Sequence, residues 1–205
     1  MNVSGSETYH RIINAAKSEF LEKGFCGASL RKIVKAADVT TGAFYGYFKS
    51  KESLFEELVG RQYDTVMDKY NQAQRMFKKL SPQEQRADVG NISGECMDWM
   101  TEYIYQNLDA FKLILSCSEG TKYENMIHDM VEIEIEATHA FVHVLENLGP
   151  CGYKIEPYLE HMLISGFFSA YFEIVIHDIP YEKAKRYVRD LRAFYTAGWQ
   201  KIIGW

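Results

Sequence analysis

The chain has 205 residues, of which 47% are hydrophobic and 25% are charged. These proportions are typical of a folded globular protein and exclude an intrinsically disordered one, and the length accommodates one large or two small domains. The four cysteines, Cys26, Cys96, Cys117 and Cys151, form no CxxC pair, so neither a zinc cluster nor a disulfide framework is indicated.

Charge is distributed unevenly along the chain. Residues 1–51 contain eight Lys or Arg side chains against four acidic ones, a net charge of +4, whereas the whole chain carries −5 and the remainder therefore −9. A basic N-terminal part favours a polyanionic partner at that end, because neutralisation of phosphates supplies most non-specific affinity for nucleic acids. Chance clustering of solvated lysines is the alternative, and charge alone favours neither interpretation.

The sequence predicts neither a signal peptide nor a membrane segment. Residues 1–7 are polar, unlike a secretory signal. The most apolar run, residues 162–172, is shorter than the roughly 20 residues that span a bilayer. We therefore expect a cytoplasmic protein.

The first three predicted helices are short and closely spaced. Residues 7–23 repeat apolar side chains at helical spacing and stop at Gly24. Residues 30–37 do the same after Ser29, a suitable N-cap, and Thr40 can cap the helix that follows the next turn. A helix, a tight turn and a second short helix form a helix-turn-helix unit.

The remaining sequence also predicts helices, without repeats or convincing strands. The expected helices, bounded by capping residues, glycine or proline, cover residues 52–79, 108–117, 122–148, 157–177 and 181–203. Residues 81–84 are a capping box that begins a further helix, which we expect to break at Gly90 and Gly94 before residues 96–105 resume it. Residues 151–156 are expected to be a loop.

Eight positions from the second helix to the start of the long one follow a single pattern: Ile33, Ala37, Val39, Gly42, Tyr45, Phe48, Lys51 and Leu54. In this pattern residues 9–55, about a quarter of the chain, resemble the DNA-binding domain of the TetR family of bacterial transcriptional regulators. The resemblance implies an all-α protein, with a helix-turn-helix domain over residues 1–51 and a larger helical domain for effector binding and dimerisation over residues 52–205.

The resemblance also implies which side chains meet DNA. By position these are Ser29, Arg31, Thr40, Thr41, Ala43, Tyr45, Tyr47 and Lys51. The residues at 40, 41 and 43 are expected in the major groove, Arg31 at a guanine edge, and the others at phosphates, with Lys51 aided by the helix N-terminus. The alternatives are that Arg31 is merely solvated and that Tyr45 is a core ring.

Three positions depart from the family pattern. Ala43 stands where a hydroxyl residue is common and Gly46 where an aromatic residue is common, which leaves the operator sequence open. Asp38 replaces a usual glycine and adds an acid near the groove, since aspartate tolerates a left-handed turn.

The last two predicted helices suggest a dimer. Residues 181–203 carry one apolar stripe, whereas residues 157–177 are apolar nearly all round, so every side of that helix needs cover. We expect one face to meet the core and the other a second copy, as in the four-helix interface of the TetR family. Complete burial within a monomer is the alternative. A two-fold dimer predicts a palindromic operator.

The aromatic content of 14% suggests a cavity for a small-molecule effector. The resemblance places six rings on helices that line such a pocket: Trp99, Tyr103, Tyr123, Phe141, Phe167 and Tyr171. Glu134 falls on an apolar stripe and could meet a cationic or hydroxylated ligand. The alternatives are core packing for the rings and contact with water for Glu134.

A further set of side chains, Glu132, Glu136, His139 and His143, shares one helical face. Two histidines four residues apart can chelate a divalent metal. The HExxH motif is absent, however, and a solvated face is the ordinary interpretation, so we predict neither a metal site nor a cofactor.

Together these features predict a homodimeric, ligand-responsive repressor that a small molecule releases from a palindromic operator. A DNA-binding adaptor or architectural protein without an effector is the alternative. An enzyme is not expected, because no nucleophile–base spacing or phosphate-binding loop is present. The sequence leaves the effector, the operator, the regulated genes and the sign of regulation open.

Overall fold

The structure, a computed structural model, describes residues 3–88, 90–149 and 155–203. Within these ranges the chain is helical and contains no β-strand, which confirms the predicted all-α fold. The helices are α1 (Val3–Gly27), α2 (Leu30–Ala36), α3 (Thr41–Tyr45), α4 (Lys51–Lys78), α5 (Pro82–Ala87), α6 (Asn91–Gln106), α7 (Leu108–Cys117), α8 (Met126–Leu148), α9 (Pro157–Ile176) and α10 (Tyr181–Ile203). Most of the predicted loop over 151–156 lies outside the described residues.

Internal packing divides the chain into two compact units. Unit 1 comprises Met1–Asp64 and Asn107–Glu124, and unit 2 comprises Thr65–Gln106 and Asn125–Trp205. Helix α4 supplies residues to both. The division into functional domains at residue 51 stays a prediction.

Unit 1 is built around a cluster of aromatic rings. Phe20 and Phe25 each pack edge-on against Phe55, with ring centroids 5.1 and 5.3 Å apart. As predicted, helical conformation is interrupted at Gly24, where φ is 67°. Glycine adopts this angle without strain, and the turn brings Phe25 back into the core.

Polar contacts fix the turn between α1 and α2. The Ser29 N–H donates to the Glu19 carboxylate at 3.0 Å. The Lys51 ammonium donates to the carbonyls of Phe25 and Ala28 at 2.7 and 3.3 Å. Carbonyls at a helix end have no partner within the helix, so α4 supplies one through Lys51.

In unit 2, α9 packs against α8 and α10, while α10 also packs against α6. A buried hydrogen bond of 3.1 Å joins the hydroxyls of Thr101 on α6 and Tyr171 on α9. Helix α9 is long and apolar enough to cross a membrane by length and composition alone. It packs between two helices of the same unit, and 39% of its apolar window is buried there.

The start signals of two helices and the expected break at Gly90 are confirmed, and two other expectations are wrong. Ser81 and Glu84 form the predicted capping box, and Thr40 caps α3. Helix α6, however, begins at Asn91 and continues through Gly94, and α8 begins at Met126 instead of near residue 122.

Position 94, inside α6, is occupied by glycine because a side chain there would collide with an arginine of α10. Arg192 on α10 donates to the carbonyls of Gly90 and Gly94 at 3.2 and 3.3 Å, and it lies 3.4 Å from Asp98. A methyl group at position 94 would lie 1.7 Å from one guanidinium nitrogen. The glycine therefore marks a close approach of α6 and α10.

We predict that Gly94→Ala lowers the free energy of unfolding by about 1–2 kcal/mol. The methyl group displaces the guanidinium, and hydrogen bonds from a charged donor contribute about 1.5–3 kcal/mol each, while the helix gains about 1 kcal/mol from alanine. Urea denaturation measures the change. In the control Gly27→Ala the methyl group would meet only the Lys23 side chain, at 3.6 Å, and stability should not fall. Wild-type stability in Gly94→Ala would contradict the account.

Candidate nucleic-acid interface and ligand cavity

One buried ring sets the orientation of α3. This helix has five residues, and of these only Phe44 is buried, with no exposed surface. The Thr40 hydroxyl accepts a hydrogen bond from the Ala43 N–H at 3.1 Å, which caps the helix. With Phe44 directed into the core, the other side chains of α3 face solvent.

The exposed side chains of α2, α3 and the residue pair after α3 form what we call the α2–α3 surface: Arg31, Lys32, Lys35, Thr41, Ala43, Tyr45 and Tyr47. Tyr45 is 54% exposed and Tyr47 is 41% exposed, so neither is a core ring. Ser29, beside this surface, is half-buried, and its hydroxyl forms no capping hydrogen bond.

The α2–α3 surface is basic. Arg31, Lys32 and Lys35 are exposed cations on α2. The nearby acid, Asp38, has a φ of 51°, which confirms that it occupies a left-handed turn. Its carboxylate lies 3.7 Å from the Arg11 guanidinium, which partly offsets its negative charge.

Two of the predicted DNA-contacting residues already have partners within unit 1. The Thr40 hydroxyl is the acceptor that caps α3. The Lys51 ammonium is bound to two carbonyls and lies 4.5 Å above the Phe25 ring. A phosphate contact by Lys51 would have to compete with these interactions.

Unit 2 contains a cavity of about 220 Å³. Helices α4, α6, α8, α9 and α10 all contribute to its wall. The lining is mainly aromatic rings and methionines: Tyr70, Phe77, Met97, Met100, Met130, Phe141, Phe167, Phe168, Tyr195 and Trp199. Ligand pockets in proteins are typically apolar with a few placed polar groups.

Glu134 on α8 is the acidic group in this wall. It is half-buried at the cavity and accepts hydrogen bonds from the Tyr70 hydroxyl and, at 2.7 Å, from the Gln74 amide. Burial raises the pKa of Glu134 above its usual value, although both hydrogen bonds act in the opposite direction. Both bonds end on Oε2, so Oε1 keeps its capacity to accept among the described residues.

The other ionisable groups of the cavity wall either have hydrogen-bond partners in the protein or are uncharged at neutral pH. The Arg192 guanidinium is bound to the carbonyls of Gly90 and Gly94. Burial raises the pKa of the Cys96 thiol to about 11, so this cysteine is not a reactive thiolate at neutral pH. Burial and the neighbouring Glu134 carboxylate raise the pKa of Tyr70. The Glu134 carboxyl is therefore the group best placed to recognise a polar atom of a ligand.

The geometry of α2 and α3 agrees with sequence comparison. Residues 12–58 match the family described as bacterial regulatory proteins, tetR family. Over these residues the chain belongs to the TetR family. Its similarity is to regulators, in agreement with the prediction that it is not an enzyme.

Sequence similarity to other transcriptional regulators is concentrated in part of the chain. The regulator YdgC of Bacillus subtilis is 44% identical over 59 residues, which cover 29% of this chain and 30% of that protein. The transcriptional repressor NemR of Escherichia coli is 29% identical over 115 residues, or 56% of this chain and 48% of that protein. The chain thus matches less than half the length of each relative.

Solved structures share the fold over most of the chain. A transcriptional regulator from Aquifex aeolicus is 24% identical, with 91% of this chain and 99% of that one covered and a TM-score of 0.50. A gamma-butyrolactone receptor, described as ArpA-like, is 21% identical, with 96% and 100% covered and a TM-score of 0.50. At these identities the likeness shows a common TetR-type helical fold.

The cavity brings together three of the seven residues predicted to bind the effector, namely Glu134, Phe141 and Phe167. The other four lie elsewhere. Trp99 and Tyr103 stack on each other, with centroids 5.1 Å apart. Tyr123 belongs to unit 1, where it packs against Phe55 and Tyr63, and the buried Tyr171 hydroxyl is bound to Thr101.

Several wall residues of this cavity could not be assigned to it from the sequence. Tyr70 and Gln74 lie 64 and 60 positions from Glu134 along the chain, and helical periodicity does not reveal such pairings. Tyr195 belongs to the apolar stripe of residues 181–203, which indicates a buried face without indicating a cavity. Arg192 is charged, yet it reaches the cavity by bonding to the backbone of α6.

The predicted Glu–His face of α8 is divided among different partners. The imidazole of His139 lies 2.7 Å from the buried Glu160 carboxylate, and His143 lies 3.7 Å from Glu146. Glu132 lies instead beside His128 and His161. The four side chains therefore do not act as one group in the described structure.

We predict that the stability of the wild-type protein relative to Glu134→Gln falls as pH rises above about 4.3, the ordinary pKa of glutamate. Because the folded-state pKa is raised, the unfolded chain loses its proton first, and deprotonation then favours unfolding until the pH passes the folded-state pKa. Glutamine does not titrate. Urea denaturation of both proteins between about pH 4 and pH 8 measures the difference. A relative stability that grows with pH would show that the Tyr70 and Gln74 hydrogen bonds outweigh burial.

Proposed function

We propose that this TetR-family protein is a homodimeric transcriptional repressor that binds a palindromic operator and is released from it by a small molecule. The observation that carries the proposal is the outward, basic α2–α3 surface beside a core-directed Phe44. Such an arrangement suits insertion of a short helix into the major groove, with cations and hydroxyls at the phosphates.

Within this proposal each exposed side chain has a role. Thr41 and Ala43 lie at base edges, with Thr40 preceding them. Arg31 pairs with the O6 and N7 atoms of a guanine, the bidentate contact that guanidinium geometry favours. Phosphate contacts come from Ser29, Tyr45, Tyr47 and Lys51, and they fix the position of the helix without reading sequence.

Dimerisation is proposed through α9 and α10. Both helices expose large apolar side chains in the isolated chain: Tyr158 (85% exposed), Phe194 (73%), Met162 (67%), Leu159 (47%), Tyr187 (45%), Ile176 (43%) and Ile202 (36%). Large exposed apolar side chains in this number favour an interaction site on these two helices. A two-fold partner would cover it and would place two α2–α3 surfaces on one duplex.

The cavity of unit 2 is the proposed effector site. Its volume of about 220 Å³ is somewhat larger than a cavity of about 150 Å³ that holds benzene, so a compound of one or two rings fits. The rings and methionines bind its apolar part, and Glu134 Oε1 accepts from a hydroxyl or a protonated amine. A cation gains further from the surrounding aromatic faces.

The proposed switch follows from linkage. A ligand that binds one conformation of the protein more tightly than another shifts the population toward the first, by an amount set by the difference in affinity. Helix α4 carries Tyr70 and Gln74 of the cavity and begins, at Lys51, next to the helix-turn-helix. It is therefore the segment proposed to transmit the change, in a cytoplasmic protein.

We predict that selection of duplexes from a random pool yields two inverted half-sites and that Arg31→Ala relaxes preference at one base in each. Loss of a bidentate guanine contact costs about 1–3 kcal/mol at that base. Tyr45→Phe, which removes a phosphate partner, should weaken all sequences alike. Sequencing of selected pools and anisotropy titrations at fixed salt measure both effects.

Arg86→Ala is the matched control for this experiment, because Arg86 is an exposed arginine on α5, away from the α2–α3 surface, the cavity lining and the proposed dimer helices. Its selected sequences and affinity should equal those of the wild type. An unpaired half-site would contradict the dimer. Absence of binding to any duplex at low salt would contradict the proposed function as a whole.

We predict that ring compounds carrying an amine or a hydroxyl raise the melting temperature of the wild-type protein and release its operator. Binding to the folded state alone stabilises it by mass action. Glu134→Gln should lower the affinity about tenfold or more, since hydrogen bonds to a charged group contribute about 1.5–3 kcal/mol. Thermal shift with a compound panel, followed by operator titration, makes the measurement.

Glu136→Gln serves as the control, because Glu136 is exposed on the same helix and does not line the cavity. It should retain wild-type affinity. If no compound shifts the melting temperature while operator binding is intact, the effector is contradicted and a DNA-binding protein without one remains.

A further inference from the structure

Three metal-ligating side chains come together on the surface formed by α8 and α9. They are His128 and Glu132 on α8 and His161 on α9, and their ligand atoms all lie within 4.8 Å of one another. All three are exposed, so a metal ion can reach them. We call this group the His–Glu–His cluster.

We propose that the His–Glu–His cluster binds a divalent transition metal of the zinc class and thereby links α8 to α9. The site is separate from the operator surface and from the effector cavity, and it does not depend on the proposed function. It also differs from the Glu–His face that the sequence suggested, since only Glu132 belongs to both.

The arrangement on α8 suits chelation. His128 and Glu132 are four residues apart on one helix, so their side chains project from the same face. His161 reaches the same place from α9, which packs against α8. Ligands from two helices close a ring between distant parts of the chain, whereas a pair on one helix could not hold the two helices together.

His161 is oriented for this role by a neighbour. Its Nδ1 lies 3.3 Å from the Ser165 hydroxyl, one helical turn further along α9. A hydrogen bond at one imidazole nitrogen leaves the other, Nε2, to act as the ligand. Metal-bound histidines almost always have such an outer partner, which fixes the ring and its tautomer.

The spacing requires only a small adjustment. Tetrahedral zinc with bonds of about 2.0–2.1 Å separates its ligand atoms by about 3.3 Å. The three ligand atoms lie within 4.8 Å of one another, so each must move by roughly 1 Å or less toward a shared centre. Exposed side chains achieve this by small rotations about their χ angles.

The donor set determines the class of metal. Two imidazoles and one carboxylate suit Zn²⁺, and also Co²⁺ and Ni²⁺, whereas Mg²⁺ and Ca²⁺ take oxygen ligands. Three protein ligands leave room for water in the coordination sphere. The neighbouring His139 and His143 are paired with Glu160 and Glu146 and are not part of the site.

A metal at this position would also influence the cavity. Helix α8 contributes Glu134 and Phe141 to the cavity wall, and α9 contributes Phe167. An ion that fixes α8 relative to α9 would therefore change the affinity of the cavity for an effector. By linkage, a bound effector would change the affinity for the metal by the same factor.

The test uses the untagged full chain, freed of metal with a chelator and titrated with zinc sulfate. We expect one zinc per chain at the His–Glu–His cluster by calorimetry and elemental analysis, with a melting temperature that rises with zinc concentration and returns after chelation. Cobalt should give the visible absorption of a bound Co²⁺ ion with nitrogen ligands. His128→Ala and His161→Ala should each lower zinc affinity at least tenfold, and Ser165→Ala about tenfold.

Two controls distinguish this site from other zinc ligands. His143→Ala removes an exposed histidine of the same helix outside the cluster and should retain wild-type affinity. Cys26→Ser removes an exposed thiol and should do the same. Circular dichroism without metal establishes that each variant is folded. The proposal is overturned if zinc does not bind at micromolar concentrations, or if binding survives the double variant His128→Ala/His161→Ala or is lost in Cys26→Ser.

Discussion

The burial of Phe44 is the contact on which the account of this TetR-family protein depends. A helix of five residues is unstable by itself, so α3 exists because Phe44, together with Phe48 just after it, is packed into unit 1. With Phe44 buried, the orientation of the other side chains of α3 is determined. Thr41, Ala43 and Tyr45 must point outward, and the cations of α2 lie on the same surface. Burial of the Phe44 ring therefore determines which side chains of α3 are exposed. The Thr40 hydroxyl caps the first turn of α3 by accepting a hydrogen bond from the Ala43 N–H.

Unit 2 is organised by a different constraint, the placement of a carboxyl group in an apolar wall. Burial disfavours the charged form of Glu134, and the donors Tyr70 and Gln74 partly compensate. Because both donors lie on α4, the same interaction that satisfies the carboxyl group ties α4 to α8. A ligand that engages Glu134 would therefore change the environment of a helix that supplies residues to both units. Stability and the proposed response to an effector arise from one set of hydrogen bonds.

Features that depend on a few neighbouring residues could be predicted from the sequence, whereas contacts between distant segments could not. The Ser81 capping box, the Thr40 cap and the left-handed Asp38 could be read from a few neighbouring residues. Gly94 could not, because its role depends on Arg192, 98 positions away. The family resemblance placed Tyr123 on a helix that lines the pocket, but segment Asn107–Glu124 belongs to unit 1. Likewise the sequence showed a charged Lys51 at a helix start, while its carbonyl partners, Phe25 and Ala28 between α1 and α2, emerge only from the fold.

The central claim, that the α2–α3 surface is the part of the protein that meets DNA, is tested most directly by hydroxyl-radical footprinting of the protein with mass-spectrometric detection. Oxidation of Tyr45 and Tyr47 is compared with and without a bound duplex, and Met76, which is 51% exposed on α4, serves as an internal reference. The account predicts that the duplex protects both tyrosines and leaves Met76 unchanged. Equal oxidation of Tyr45 and Tyr47 in free and DNA-bound protein would contradict it.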